Sequence, residues 1–116
     1  MVRILIVDDD SRFRTVARAL LENEGFQVVG EAEDGETAVT AAGELEPEVV
    51  LLDVQLPDVD GLQVAKRLAD GGRGPAVVLT STRDECDFGA ELQRSGACGF
   101  VPKDELSADR IIQLCR

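Results

Sequence analysis

Histidine is absent from the 116 residues. That removes the Ser-His triad, the usual imidazole acid or base, and His-rich metal sites. Any chemistry then falls to carboxylates, hydroxyls and lysine. Cysteine is scarce and odd in number, with Cys86, Cys98 and Cys115 far apart. With no secretory leader pattern at the N-terminus, these are expected to be reduced thiols, one or more packed in the core as a small hydrophobe. No run approaches the roughly 18 apolar residues of a membrane span, so a soluble, cytoplasmic protein with no membrane partner is expected. Basic residues are few, 12 against 23 acidic for a net charge of −11, which argues against direct binding to a nucleic-acid backbone. Linkers, repeats and low-complexity tracts are also missing, and residues 1–116 are read as one domain.

What is present alternates between two periods. Val2–Val7 is a mostly apolar run ending in Asp8-Asp9-Asp10, and Asp10 or Ser11 can cap the helix that follows. Phe13, Val16, Ala17, Leu20 and Leu21 give that helix one apolar stripe, and Gly25 stops it. Residues 27–32 form a more polar strand, expected at a sheet edge, and Asp34-Gly35 is a turn signal. A second helix carries Ala38, Val39, Ala42 and Leu45 and ends at Glu46-Pro47. Val49-Val50-Leu51-Leu52 reads as a strand buried on both faces, with Asp53 at its mouth and a loop punctuated by Pro57 and Gly61. A helix over Leu62–Ala69 follows, then a strand over Ala76–Thr80. The helix predicted over 83–95 is the weakest, with Gly89 inside it. A short strand over 97–101 leads to Pro102-Lys103, and Ser107 caps a last helix in which Ile111, Leu114 and Cys115 share a face.

Five strands alternating with helices predict an α/β fold: a doubly wound, five-stranded parallel sheet with helices on both faces. Ligands in such folds bind beyond the carboxyl ends of the strands. Asp8, Asp9, Asp53, Thr80 and Lys103 all fall just past predicted strand ends, so the fold gathers them on one edge. Singly, each has an ordinary use: an Asp caps a helix or forms a turn, a Lys is solvated, a Thr lines a strand. Together they make a charge problem. At about 5 Å and an effective dielectric near 20, each pair of carboxylates repels by about 3 kcal/mol. Oxygen ligands without His or Cys favour a hard divalent ion such as Mg²⁺. An ammonium and a hydroxyl beside it suit a phosphoryl group, with Asp53 as the nucleophile of an aspartyl phosphate.

Ile6-Val7-Asp8-Asp9-Asp10, Leu51-Leu52-Asp53-Val54-Gln55-Leu56-Pro57-Asp58-Val59-Asp60-Gly61, Leu79-Thr80-Ser81 and Gly96-Ala97-Cys98-Gly99-Phe100-Val101-Pro102-Lys103, in this order and spacing, resemble the receiver domains of two-component response regulators. The resemblance covers essentially the whole chain and is greatest to receivers of the NarL/LuxR type. It implies a flavodoxin-like strand order 2-1-3-4-5. It also implies that Asp53 accepts a phosphoryl group from a phosphohistidine on a sensor histidine kinase or phosphotransfer protein. Asp8, Asp9, Asp53 and the backbone carbonyl of Gln55 would hold Mg²⁺, Thr80 and Lys103 would bind phosphoryl oxygens, and Phe100 would be the switch aromatic. Such a domain is regulatory, catalysing only its own phosphorylation and dephosphorylation, and a homodimer is allowed.

Two departures stand out. Pro102 precedes Lys103 and Asp104 follows it, where the family commonly has proline after the lysine, so a cis bond after Lys103 is not assumed. The fourth helix is weak. The chain is either a stand-alone receiver or one cut from a longer regulator with an output domain such as a helix-turn-helix. Two alternatives stay open: a degenerate receiver serving as a phosphorylation-independent binding module, and a Mg²⁺-dependent phosphatase, against which Gln55 stands where those enzymes carry an acid.

Overall fold

The computed structural model describes residues 1–69, 74–82 and 90–115. Strands β1 (Arg3–Val7), β2 (Gln27–Ala32), β3 (Val49–Asp53), β4 (Ala76–Ser81) and β5 (Gly99–Pro102) form one sheet in the order β2-β1-β3-β4-β5. Every strand pair is parallel. Helices α1 (Ser11–Asn23), α2 (Gly35–Leu45), α3 (Gly61–Ala69), α4 (Ala90–Arg94) and α5 (Ala108–Cys115) connect and cover it, and a 3₁₀ turn over Lys103–Glu105 leads out of β5. This is the predicted doubly wound, flavodoxin-like architecture.

The central strands lack polar alternation because both their faces are covered. Leu5, Val7, Val50, Leu52, Val77, Leu79 and Phe100 turn toward α2 and α3, meeting Ala38, Leu62, Ala65 and Leu68. Ile4, Ile6, Val49, Leu51, Val78 and Val101 turn the other way, toward Ala17 and Leu21 of α1 and Ala108 and Ile111 of α5. The second series matters for the site. Continued by two residues, it runs from Ile6 to Asp8, from Leu51 to Asp53, from Val78 to Thr80 and from Val101 to Lys103. The same period of two that buries the apolar residues therefore sends four polar ones to one end of one face.

Several local expectations are corrected. Asp34-Gly35 is not a free turn: Asp34 is the N-cap of α2, its carboxylate accepting from Thr37 N at 2.8 Å, and Gly35 is the first helical residue. Val16 fits the α1 stripe by type but is 64 % exposed, because the stripe runs through Ala17 and Leu21 and leaves position 16 off axis. β5 begins two residues later than predicted, at Gly99. Of the two described cysteines, Cys98 is exposed and Cys115 is half-buried, packed against the α1/α5 core cluster. Burial pushes the Cys115 thiol up to about 11. Cys86 and most of the predicted 83–95 helix lie outside the described residues, and Ala90–Arg94 is helical. Among the described residues no peptide bond is cis.

Other expectations hold. β2 is an edge strand, as its polarity suggested. Asp10 caps α1, accepting from Arg12 N at 2.9 Å, and Gly25 follows its end with φ +100°. Ser107 Oγ accepts from Arg110 N at 3.1 Å at the start of α5.

The loop from β3 to α3 is tied down at both ends. Gly61 donates to Val54 O at 2.8 Å, and a β-carbon at position 61 would press on the Asp53 carbonyl oxygen and the Val54 backbone. Asp58 reaches across to α2, its carboxylate accepting from Gly35 N at 2.8 Å and Glu36 N at 3.1 Å. These backbone donations hold the Asp58 carboxyl below its ordinary value. Gly61→Ala is expected to cost about 1–3 kcal/mol in urea unfolding, since the atoms in its way are backbone and cannot rotate aside. A midpoint equal to that of the unaltered protein would show that the loop yields freely.

Candidate functional site

β1, β3, β4 and β5 end side by side, and the register aligns their last residues. Val7 pairs with Leu52, so Asp8 leaves the sheet beside Asp53. Asp53 pairs with Thr80, and Thr80 with Val101. One carboxylate oxygen from each of Asp8, Asp9 and Asp53 lies within 4.8 Å of the others. Asp8 is fully buried, Asp53 is 4 % exposed, and Asp9 faces solvent.

Lys103 closes the cluster. Its Nζ lies 2.6 Å from Asp8 Oδ2 and 3.4 Å from Asp53 Oδ2, and 4.5 Å from the centre of the Phe13 ring on α1. Burial alone would lower the Lys103 ammonium, but the two carboxylates outweigh it and raise it above lysine's ordinary value. Asp53 shows the opposite balance. Burial, with the Asp8 charge adding to it, pushes its carboxyl from 3.8 up to about 6 against the lowering effects of Gln55 N–H and Lys103. The Gln55 donation to Asp53 Oδ1 spans 3.1 Å.

The donor set fits a hard divalent cation. Asp8 Oδ1 accepts from Asp10 N at 2.8 Å, whereas the buried Asp8 Oδ2 has no hydrogen bond. Its near neighbour is Lys103 Nζ, 2.6 Å away as an ion pair. A buried carboxylate oxygen with no backbone donor, beside two further carboxylates, is what an oxygen-seeking ion requires.

Thr80 is placed less simply. It stands next to Asp53 in register, but its Oγ1 donates to the Val101 carbonyl at 2.7 Å. Phe100 is buried on the opposite face from Thr80, beside Leu79, packed in the α2/α3 cluster. Gln55 lies in the loop immediately after Asp53, bridged to Asp60. Two contributors escaped the sequence reading: Asp58, which anchors this loop to α2, and Arg14, whose Nη1 donates to the Asp8 carbonyl at 2.6 Å. Arg14 sits three and seven residues before the buried Ala17 and Leu21, so the helix period could have shown it facing inward.

The raised Asp53 carboxyl has a measurable sign. Between about pH 4 and pH 6 the folded protein keeps a proton that the unfolded chain has lost, so stability falls as pH rises through this window. With divalent cations chelated, Asp53→Asn is expected to match the unaltered protein in urea near pH 4 and to exceed it at pH 7.5. Identical midpoints at both pH values would mean that Asp53 ionises without penalty.

Comparisons with known proteins agree with this geometry. The family model described as the response regulator receiver domain matches residues 4–116. The response regulator GacA of Pseudomonas aeruginosa is 38 % identical over 104 residues, which is 89 % of this chain and 49 % of GacA. BvgA of Bordetella pertussis, a transcription regulator by its description, is 38 % identical over 103 residues, again 89 % and 49 %. The chain thus spans about half the length of these relatives. Among solved structures, the signal receiver domain of NarL from Mycobacterium tuberculosis superposes with a TM-score of 0.89 at 32 % identity, covering 98 % of this chain and 95 % of that one. The response regulator domain of CheB from Thermotoga maritima gives 0.83 at 28 % identity, covering 100 % and 94 %.

Proposed function

The chain belongs to the response regulator receiver family of two-component systems, and on that footing we propose that it is a phosphorylation switch with Asp53 as acceptor. The observation that carries this reading is the buried Asp8–Lys103–Asp53 cluster with Asp9 beside it. An Asp53 carboxylate oxygen attacks the phosphorus of a phosphohistidine, the P–N bond breaks, and its electron pair leaves with the donor imidazole. The product on this chain is an acyl phosphate. Because these 116 residues contain no histidine, the donor imidazole lies outside them, on a sensor histidine kinase or phosphotransfer module.

Each neighbour has a role in that step. Asp8, Asp9, Asp53 and the Gln55 carbonyl would hold Mg²⁺, which when bound neutralises the carboxylates and the incoming phosphoryl oxygens. Lys103 is already poised at Asp53 Oδ2 and can follow the charge onto the phosphoryl group. Thr80 must give up the Val101 carbonyl to donate to the same group. That exchange frees a β5 carbonyl next to Phe100, which is how a local charge would reach the α4–β5–α5 surface. The relatives extend well beyond this match, so a full-length regulator would couple the surface to an output domain, as in transcription control.

Incubation with acetyl phosphate and Mg²⁺ is expected to add one phosphoryl group by intact mass spectrometry. The adduct should vanish in Asp53→Asn and with chelator, and Lys103→Ala should form it on the order of 10²-fold more slowly. An unmodified native chain under these conditions would leave a phosphorylation-independent binding module as the better description.

A further inference from the structure

We propose that Arg14 is a positioning residue for the divalent-cation site: its guanidinium pins the backbone carbonyl of Asp8 and so sets where the carboxylates of Asp8 and Asp9 point. The inference rests on reading that site as one for Mg²⁺.

Asp8 is the residue at which β1 leaves the sheet. Its N–H still donates to Ala32 O of β2 at 3.0 Å. Its carbonyl, one residue past the strand, has no ladder partner and takes its donor from Arg14 Nη1 at 2.6 Å. The Asp8–Asp9 peptide is planar, so fixing this oxygen fixes the plane from which both acidic side chains depart. A misdirected Asp8 cannot be rescued from below, since its own side chain is fully buried.

Arg14 is itself held. Its Nε donates to Glu31 Oε1 at 3.0 Å, and its side chain is 17 % exposed. Two nitrogens of one rigid plane are thus engaged at once, Nε on a carboxylate and Nη1 on a carbonyl, a task the point charge of a lysine cannot perform. Glu31 lies on β2 in register with Ile6 of β1, and the other oxygen of its carboxylate takes Arg18 Nη1 at 2.9 Å. Arg18 therefore shares Glu31 with Arg14 but donates onward to Val28 O instead, at 3.4 Å.

This pair of arginines separates positioning from simple electrostatics. Each is a positive charge on α1 paired with Glu31, and by field alone removing either should tighten Mg²⁺ binding or leave it unchanged. Positioning predicts the opposite sign for Arg14 only.

The test is calorimetric titration of the full chain with MgCl₂, with circular dichroism confirming that each variant is folded. Arg14→Gln is expected to weaken Mg²⁺ about tenfold, the lower end of what outer partners of metal ligands contribute. Arg18→Gln should stay within about twofold of the unaltered protein, even where it lowers the melting temperature. Arg14→Lys, which keeps the charge but can serve only one of the two acceptors, should be weakened severalfold, and it decides the matter if Arg14→Gln does not fold. Unchanged or tighter binding in a folded Arg14 variant overturns the inference, as does an equal loss in Arg18→Gln. Failure of the unaltered protein to bind Mg²⁺ would overturn the function proposed above and this inference with it.

Discussion

One ammonium holds together a cluster that would otherwise repel itself. Lys103 is the cation that pairs with the carboxylates of Asp8 and Asp53 among the described residues, and the two answer it differently. Asp8, fully buried, has one oxygen in a backbone hydrogen bond and the other against Nζ. Asp53, with the longer contact, stays raised toward neutrality. The lysine therefore satisfies one acid and underserves the other, and the underserved one is the acceptor proposed above. Burial supplies the rest of the effect, since in a low-dielectric setting an imperfectly paired carboxylate is costly and a group that completes its pairing gains accordingly.

The scaffold supports this imbalance by removing freedom around it. Arg14 holds the backbone below Asp8, and Asp58 and Gly61 hold the loop beyond Asp53. None of these three touches Asp53's carboxylate. Arg14 and Gly61 act on backbone carbonyls and Asp58 on the start of α2, and so the site can be rigid without surrounding Asp53 with competing donors. Thr80 is the exception, a hydroxyl that faces away from the acceptor and onto Val101 O. In the proposed switch, a second partner on the phosphoryl group would give the site a discrete choice. The size of any resulting population shift is bounded by how differently those partners are satisfied in the two arrangements.

Much of this was legible in the sequence because it follows from period and position. The uninterrupted apolar runs at Ile4–Val7, Val49–Leu52 and Ala76–Leu79 read as strands covered on both faces, and the acids after the first two and the hydroxyl of Thr80 after the third had to converge once the strands were parallel. What stayed hidden depends on atoms meeting across the fold. Asp34-Gly35 reads as a turn until Asp58 is known to cap the same helix from 23 residues away. Val16 fits the apolar stripe by type, yet only the packing of Ala17 and Leu21 against β1 and β2 shows that position 16 faces outward. The direction of Thr80's hydroxyl is a side-chain torsion, which no pattern of residue types records.

The strand order has a consequence for how such a site comes into being. β1, the first strand made, sits inside the sheet, between β2 and β3, while Lys103 follows β5 at the far edge. The ammonium meets Asp53 across 50 residues and Asp8 across nearly the whole chain, contacts whose loop-closure entropy is met late in folding. A chain folded only through β4 already has its acids assembled but lacks the lysine that makes them tolerable together. The cluster around Asp53 is thus unfinished until the last strand docks, and the phosphorylation proposed for it would become possible only as the fold is completed.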